Sequence, residues 1–176
     1  NNAAAIADNI SYKPYGGITS LTYGNGIIGT SSYDNQYRIT SITAGTIQNL
    51  NYQYDYNGNI VAIINGLDST KNKTYTYDAL DRLTGATGPW GTLTYTYDGV
   101  GNRQKETKDT NETAYTYTAN KLTTTAGEKA YAFSYDNNGN TITENGKQFI
   151  YNQNQRLIKV SENVVTKGEY VYNGNG

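Results

Sequence analysis

Aromatic and polar residues alternate in short segments along the chain. At seven of eight recurring tyrosines another aromatic residue lies two residues earlier, as in Tyr75-Thr76-Tyr77 and Tyr95-Thr96-Tyr97. Side chains two residues apart on a strand lie on one face, and the residue between them points to the other face. The pattern therefore predicts β-strands with one aromatic face and one mostly hydroxylated face.

The second tyrosine of each pair opens a motif that recurs through most of the chain. Eight copies occur, 16 to 23 residues apart, and the last copy, YNGNG, is truncated. The anchor tyrosines of the eight copies are Tyr33, Tyr54, Tyr77, Tyr97, Tyr117, Tyr135, Tyr151 and Tyr172. Self-similarity at a near-constant period predicts a repeat architecture.

Turn-forming residues follow the anchors, and they occur in two alternating forms. Five anchors are followed directly by Asp34, Asp55, Asp78, Asp98 and Asp136. One form then has Gly-Asn, at Gly58-Asn59, Gly101-Asn102 and Gly139-Asn140, and the other has a basic residue, at Arg38, Arg82, Lys121 and Arg156. Asp and Asn bond their own backbone, and Gly tolerates positive φ. Each unit thus predicts a strand, a tight turn, a second strand and a variable loop, and the alternation favours a pair of units as the true repeat.

A hairpin of about 20 residues cannot bury enough surface to be stable alone, so consecutive units must share a sheet. The sequence predicts an all-β fold of tandem antiparallel β-hairpins, stacked into one continuous curled or spiral sheet of about 16 strands. We expect residues 1–11 to be a lead-in from a preceding repeat or linker, and residues 12–176 to be an array of about eight repeats.

Composition excludes several classes of protein. The chain has no Cys and no His, which removes disulfides, thiolate metal sites and the usual general base. A net charge of -1 favours no nucleic-acid partner, and no apolar run is long enough for membrane insertion. We expect no cofactor, no metal and no catalytic constellation, and hence no enzyme.

Four chemical alternatives compete with structural roles for the same residues. The Asp-x-x-Gly-Asn segments at Asp55, Asp98 and Asp136 have oxygen ligands at alternate positions, as in calcium loops, but their glycine spacing favours turn capping. The arginines could bind anions, but pairing with motif Asp of another hairpin or stacking on tyrosine is favoured. Asp78 and Asp81 lie three residues apart at a turn, where they would be solvated and unpositioned, so a glycosidase pair is not favoured. The threonine arrays favour a solvated strand face over ice binding.

Two motif forms, YDxxGRL-like and YDxxGN, alternate along the chain, for example as YDALDRL at Tyr77 and YDYNGN at Tyr54. They resemble the YD repeats of Rhs proteins, toxin-complex C components, wall-associated proteins and teneurins. The stretch from Lys13 to Gly26 is similar to the entry of an Rhs core repeat. The resemblance implies a spiral β-sheet wound into a hollow shell, which in bacteria often encloses a C-terminal toxin domain. The Pro- and Asp-rich end of a bacterial core is missing, so we expect an interior fragment.

The resemblance implies a non-catalytic structural segment of a large secreted or cell-surface protein, forming part of the wall of a shell around a toxin domain. Its partners would be adjacent YD repeats of the same chain and an encapsulated toxin domain. The alternative is an extracellular fibre or adhesin segment with a glycan- or protein-binding surface, because sugar rings stack on exposed aromatic faces.

Overall fold

The computed structural model of the chain describes residues 6–174. The first five residues of the predicted lead-in and the last two of the eighth motif lie outside the described residues. Regular structure in this range is β-strand, apart from one 3₁₀ turn, Ser69–Lys71. No helical segment among the described residues has the length and apolar character to cross a membrane.

The strands are short and follow one another closely. They are β1 (Ala7–Tyr12), β2 (Ile18–Tyr23), β3 (Ile28–Tyr33), β4 (Ile39–Ala44), β5 (Gln48–Tyr54), β6 (Ile60–Asn65), β7 (Lys73–Tyr77), β8 (Leu83–Gly88), β9 (Gly91–Tyr97), β10 (Arg103–Lys108), β11 (Asn111–Thr118), β12 (Lys121–Gly127), β13 (Tyr131–Tyr135), β14 (Thr141–Glu144), β15 (Lys147–Tyr151), β16 (Leu157–Glu162) and β17 (Val165–Glu169).

These strands form one 17-stranded antiparallel sheet in which each strand pairs with its neighbour in sequence. The ladder of described strands is open, with β1 and β17 at its ends. The all-β prediction of tandem antiparallel hairpins in one continuous sheet is confirmed, with 17 strands where the repeat predicted about 16.

In six hairpins a β-bulge on the second strand lies opposite the step into the anchor tyrosine. In one of them Ser32 pairs with Ser41, whereas Tyr33 pairs with Ile39, so Thr40 is the extra residue. Bulges increase the local twist of a strand and change the direction of its side chains. The same irregularity therefore recurs opposite these six anchors.

Residues up to Thr94 form one compact unit. Its buried hydrophobic residues are small: Ala44, Ala62 and Ala86. On β5 the rings of Tyr52 and Tyr54 are half-buried while Gln53 between them is exposed. This unit therefore shelters aromatic rings along one face of a single sheet, as the alternation of residues predicts.

Residues from Tyr95 onward form the second compact unit. Its most buried residues are hydroxylated: Thr113, Thr125 and Ser161. On β11 Tyr115 and Tyr117 are half-buried and Thr116 is exposed, which repeats the pattern of the first unit. Both units replace a conventional aliphatic core with neighbouring hairpins that cover one another's rings.

Candidate functional site: the motif turns and anchor tyrosines

An aspartate carboxylate holds the turn that follows Tyr33. Oδ1 of Asp34 accepts hydrogen bonds from the backbone N–H of Gln36, at 2.8 Å, and of Arg38, at 2.9 Å. Oδ2 of Asp34 accepts a bond from Nε of Arg38 at 2.7 Å. The backbone N–H of Asp34 also donates to the Arg38 carbonyl, at 2.9 Å. One side chain thus fixes all five residues between β3 and β4.

The same bonds recur at each motif aspartate. The carboxylate oxygens accept the backbone N–H and the side-chain nitrogen of the residue four positions later, in the pairs Asp55/Asn59, Asp78/Arg82, Asp98/Asn102 and Asp136/Asn140. Asn152 takes the place of Asp in one turn and accepts the backbone N–H of Asn154 and Arg156 through Oδ1. The turn geometry therefore recurs, and the residue four positions after the capping Asp or Asn can be either Arg or Asn.

These bonds favour the ionised carboxylates. Desolvation raises the pKa of Asp34 and Asp78, but the hydrogen bonds and charges of Arg38 and Arg82 outweigh it and hold each pKa below its ordinary value. The Gly-Asn turns behave alike: the pKa of the aspartate is lowered at Asp55 and Asp98, against desolvation, and at Asp136, where the bond from Asn140 is the leading cause.

The carboxylates that prompted the calcium and glycosidase alternatives are directed into the turns. Asp55, Asp98 and Asp136 cap their own turns, and Asp78 pairs with Arg82 at 2.6 Å. Asp81 accepts hydrogen bonds from the side chains of Asn57 and Asn59. Within residues 6–174, no group of three or more Asp, Glu, His or Cys side chains is placed to hold a metal ion.

The residue three positions after the capping Asp or Asn has positive φ in both forms of turn. In the Gly-Asn turns it is glycine, with φ of 95° at Gly58, 96° at Gly101 and 91° at Gly139. In the arginine turns it is a residue with a side chain, with φ of 62° at Tyr37, 59° at Asp81 and 61° at Gln155. The larger φ is accessible mainly to glycine, whereas the smaller one is the left-handed region that polar residues also occupy.

The hydroxyl groups of six anchor tyrosines donate to the preceding hairpin. The acceptor is a backbone carbonyl at the start of that hairpin's second strand. The pairs are Tyr33 to Ile18 (3.0 Å), Tyr54 to Ile39 (2.7 Å), Tyr77 to Ile60 (2.9 Å), Tyr117 to Arg103 (3.0 Å), Tyr135 to Leu122 (2.7 Å) and Tyr172 to Leu157 (2.8 Å). The other two anchors, Tyr97 and Tyr151, are half-buried at the ends of β9 and β15. The anchor hydroxyl is therefore a bond between hairpins.

The basic residue of the arginine turns contacts the next hairpin. The guanidinium carbon of Arg38 lies 4.5 Å from the ring centroid of Tyr54, the following anchor. Lys121 lies 5.5 Å from the ring centroid of Tyr135, and Arg156 lies 5.4 Å from that of Tyr172. Stacking on tyrosine between hairpins agrees with the sequence-based interpretation. The ion pairs of Arg38 and Arg82 with aspartate instead lie within one turn, so the expected pairing between hairpins is wrong there.

The asparagine of the Gly-Asn turns also contacts the next hairpin, but through an amide. Nδ2 of Asn59 donates to Oδ1 of Asp81 at 2.7 Å, and Nδ2 of Asn102 donates to Oδ1 of Asn120 at 3.2 Å. Nδ2 of Asn140 donates to Oε1 of Gln155. The acceptor is always the positive-φ residue of the following turn, which explains why that position carries a polar side chain.

Arg103 departs from the pattern because it stands where most other hairpins have an aliphatic residue, such as Ile39 or Ile60. Its Nη1 lies 3.0 Å from Oε2 of Glu106, whose Oε1 lies 3.0 Å from Nζ of Lys129. Tyr115 donates its hydroxyl to Glu106 at 3.3 Å, and Arg103 stacks over the Tyr115 ring at 4.4 Å. Desolvation raises the pKa of Glu106, but the two cations outweigh it and the pKa lies below its ordinary value.

Sequence reasoning missed one hairpin of this type and misjudged the turn of another. Tyr12 pairs with Ile18, six residues later, in the same relation as Tyr33 and Ile39, and this spacing was the available signal. The turn after Tyr117 is only two residues long, and both Ala119 and Asn120 have positive φ, as in a type I′ hairpin. The sequence signal for this different turn was the absence of Asp after Tyr117.

The family comparison agrees with this arrangement. The family model described as the teneurin YD-shell matches residues 46–176. No curated protein gives a match to the chain.

Solved structures share the fold at low sequence identity. The chain is similar to "Crystal Structure of TcdB2-TccC3", with a TM-score of 0.67 and 21% identity over 97% of this chain. It is also similar to a Photorhabdus luminescens structure, the Tc holotoxin pore with the mutation TccC3-D651A, with a TM-score of 0.66 and 20% identity over 98% of this chain. The chain spans only 11% of the length of each of those chains.

Proposed function

Because the chain belongs to the teneurin YD-shell family, we propose that it is part of the wall of an extracellular, Rhs-type shell that encloses a toxin domain. The observation that carries the proposal is the bond from anchor hydroxyl to carbonyl, made six times between successive hairpins. A bond repeated in this way extends one sheet by addition of identical units, and such a sheet makes surface rather than a pocket.

The wall role is structural and non-catalytic. The motif carboxylates are engaged by backbone N–H groups and by Arg or Asn side chains, so their lone pairs are used for turn geometry. The chain contains neither His nor Cys. Purified segment incubated with glycan or peptide substrates is expected to give no hydrolysis. Hydrolysis abolished by one Asp or Glu substitution would contradict this part of the proposal.

A toxin domain is the proposed cargo, and the exterior of a cell is the proposed location. Both are proposed from the likeness to the Tc holotoxin pore and TcdB2-TccC3 structures.

The alternative role is a fibre or adhesin with a glycan-binding aromatic face. It requires tyrosine rings and hydroxyls that are accessible to sugar. The hydroxyls of six anchors are instead donated to backbone carbonyls, and the anchors of β3, β5, β7, β11 and β13 are half-buried. The wall proposal uses these contacts, whereas the glycan proposal has to break them.

Electron microscopy of the complete gene product tests the wall. Closed hollow particles are expected, together with a downstream domain that resists added protease until the shell is opened by denaturant. Extended fibres, or a downstream domain that is cleaved at the rate of the isolated domain, would replace the wall with the fibre or adhesin role.

A further inference from the structure

Asn-Gly pairs are frequent in the connections between strands. The chain contains seven of them, and the first five begin at Asn25, Asn57, Asn65, Asn138 and Asn145. Asparagine is a thermolabile residue. Before glycine it is most reactive, because glycine has no Cβ to obstruct the approach of its backbone nitrogen to the asparagine side chain. Each pair is therefore open to chemical modification unless the fold prevents it.

The modification requires two groups that are free to meet. The glycine nitrogen forms a bond to Cγ of asparagine, the Cγ–Nδ2 bond breaks, and ammonia leaves with the proton that the glycine nitrogen gives up. Water then opens the resulting five-membered ring at either carbonyl, which yields aspartate or isoaspartate. A hydrogen bond from the glycine N–H, or one to the asparagine side-chain amide, has to open before the ring forms, so each such bond slows the reaction.

Four of the five pairs are held by a hydrogen bond from glycine. The glycine N–H donates to a backbone carbonyl, in the bonds Gly26 to Tyr23 (2.7 Å), Gly58 to Asp55 (3.2 Å), Gly66 to Asn49 (2.8 Å) and Gly139 to Asp136 (3.1 Å). The nucleophile of the reaction is therefore engaged in all four.

Three of these four pairs are also held through the asparagine side chain. Oδ1 of Asn25 accepts the backbone N–H of Ile27 at 3.1 Å, and Nδ2 of Asn57 donates to Asp81 at 2.8 Å. Oδ1 of Asn65 accepts two backbone N–H groups, those of residues 67 and 68. The bonds that have to open thus increase from one at Asn138, to two at Asn25 and Asn57, to three at Asn65.

The pair Asn145-Gly146 has neither kind of bond. It is the two-residue connection between β14 and β15, with φ of 43° and 89°, as in a type I′ hairpin, and both residues are exposed. Within the part of the chain that the structure describes, the Asn145 side-chain amide and the Gly146 N–H have no hydrogen-bond partner. Both reacting groups are therefore available in the folded state.

We propose that Asn145-Gly146 is a site of spontaneous deamidation in the folded protein, and that hydrogen bonds set the order of reactivity of the five pairs. Water is the co-reactant and ammonia is released. Either product places a carboxylate beside Glu144, and isoaspartate also adds a methylene group to the backbone between the paired residues Glu144 and Lys147. The modification therefore loosens hairpin β14–β15 and leaves the four held pairs unchanged.

Peptide mass spectrometry of the folded 176-residue chain, aged in mildly alkaline buffer, tests the site. Each conversion of amide to acid is located by its mass. Asn145 is expected to react at least about tenfold faster than Asn57 and Asn65, because two or more hydrogen bonds have to open at those two positions. The rate at Asn138, with one bond, is expected to lie between them.

The same chain in urea is the matched control. Unfolding removes every bond, and glycine still follows each asparagine, so the five rates are expected to become similar. The variant Asp81→Gly removes the side-chain acceptor of Asn57 and is expected to raise the rate at Asn57 about fivefold, with Asn145 unchanged. An order of rates that persists in urea would overturn the inference, because neighbouring residues and not the fold would then set it.

The products test the ring mechanism and its effect. Ring opening gives isoaspartate as well as aspartate at position 145, which electron-transfer fragmentation distinguishes. Hydrogen exchange over residues 141–151 is expected to be faster in the isoaspartate form than in Asn145→Asp, which carries the charge without the methylene group. Aspartate alone, equal exchange in the two forms, or a folded chain in which Asn145 reacts no faster than Asn57 would overturn the inference. None of these outcomes depends on a shell, so the proposed wall function stands or falls separately.

Discussion

The Asp-capped arginine turns, such as the turn of Asp34 and Arg38, share their carboxylate cap with the Gly-Asn turns but contact different neighbours. Arg38 stacks on the next anchor ring, Tyr54, whereas Asn59 donates its amide to Asp81 in the next turn. Contacts to a ring and contacts to a turn therefore alternate along the array. The difference teaches that the structural unit is a pair of hairpins, since Arg38 contacts the anchor ring that precedes a Gly-Asn turn and Asn59 contacts a polar residue of an arginine turn.

Acidification should have the largest effect, because it acts on both forms of turn at once. The folded-state pKa of each motif aspartate is below its ordinary value, so its contribution to stability is present above about pH 3.9 and is lost as the pH falls through the folded pKa. Thermal unfolding should show equal midpoints at pH 7 and pH 5 and a marked fall at pH 3. A fall already complete at pH 5 would contradict the role given to these carboxylates.

Truncation of an anchor ring should have the next largest effect and should depend on the form of turn before it. Tyr54→Ala is expected to lower the free energy of unfolding by about 3 kcal/mol, because it removes a packed ring and the bond to the Ile39 carbonyl. The anchor Tyr77 follows a Gly-Asn turn, so Tyr77→Ala should lower the free energy of unfolding by less than Tyr54→Ala does. The difference should be about 0.5 kcal/mol or more. Urea unfolding measures both.

The exposed Tyr56 provides the matched control for ring truncation. Tyr56→Ala should stay within about 0.5 kcal/mol of wild type. Equal costs for Tyr54→Ala and Tyr77→Ala would show that the stack of Arg38 on the ring adds nothing.

Substitutions at the positive-φ residue should have an intermediate effect on stability, and the effect should differ between the two forms of turn. Gly58→Ala is expected to destabilise the chain by about 1–2 kcal/mol, because φ is 95° there and an alanine side chain has no free access to it. Asp81→Gly removes backbone strain at φ of 59° but loses the two hydrogen bonds that Asp81 accepts from Asn57 and Asn59. Its net effect on the free energy of unfolding should therefore be smaller. Paired urea titrations compare them, and a tolerated Gly58→Ala would mean that the turn can switch to the other form.

Substitution of the turn arginine should have the smallest effect on the free energy of unfolding. Arg38→Lys keeps the charge but loses the planar stack on Tyr54 and the Nε bond to Asp34, which should cost about 0.5–1 kcal/mol. Lys71→Ala, at an exposed pair with Asp68, is the control and should be close to neutral. If Arg38→Lys costs the same in a Tyr54→Ala background, the stack is not the cause.

Local chemistry made much of this fold predictable. The spacing of Tyr75 and Tyr77 determines which face of β7 they share, and Asp followed by Gly-Asn determines a turn after β5. The Tyr12 hairpin was missed because its turn, KPYGG, lacks the aspartate by which the motif was recognised. The spacing from Tyr12 to Ile18 is present in the sequence, but without the aspartate it does not show that these two residues pair in the sheet.

The sequence by itself determined the strands, their faces, the capped turns and the alternation of two turn forms, because each depends on residues within about six positions of one another. Only the tertiary structure decided the bulges opposite six anchors, the carbonyls that six anchor hydroxyls reach and the neighbours that Arg and Asn side chains such as Arg38 and Asn59 contact. Those partners lie 13 to 24 residues away, as Tyr135 does from Leu122 and Asp81 from Asn57. Contacts at that separation form only when one hairpin is already paired beside the next.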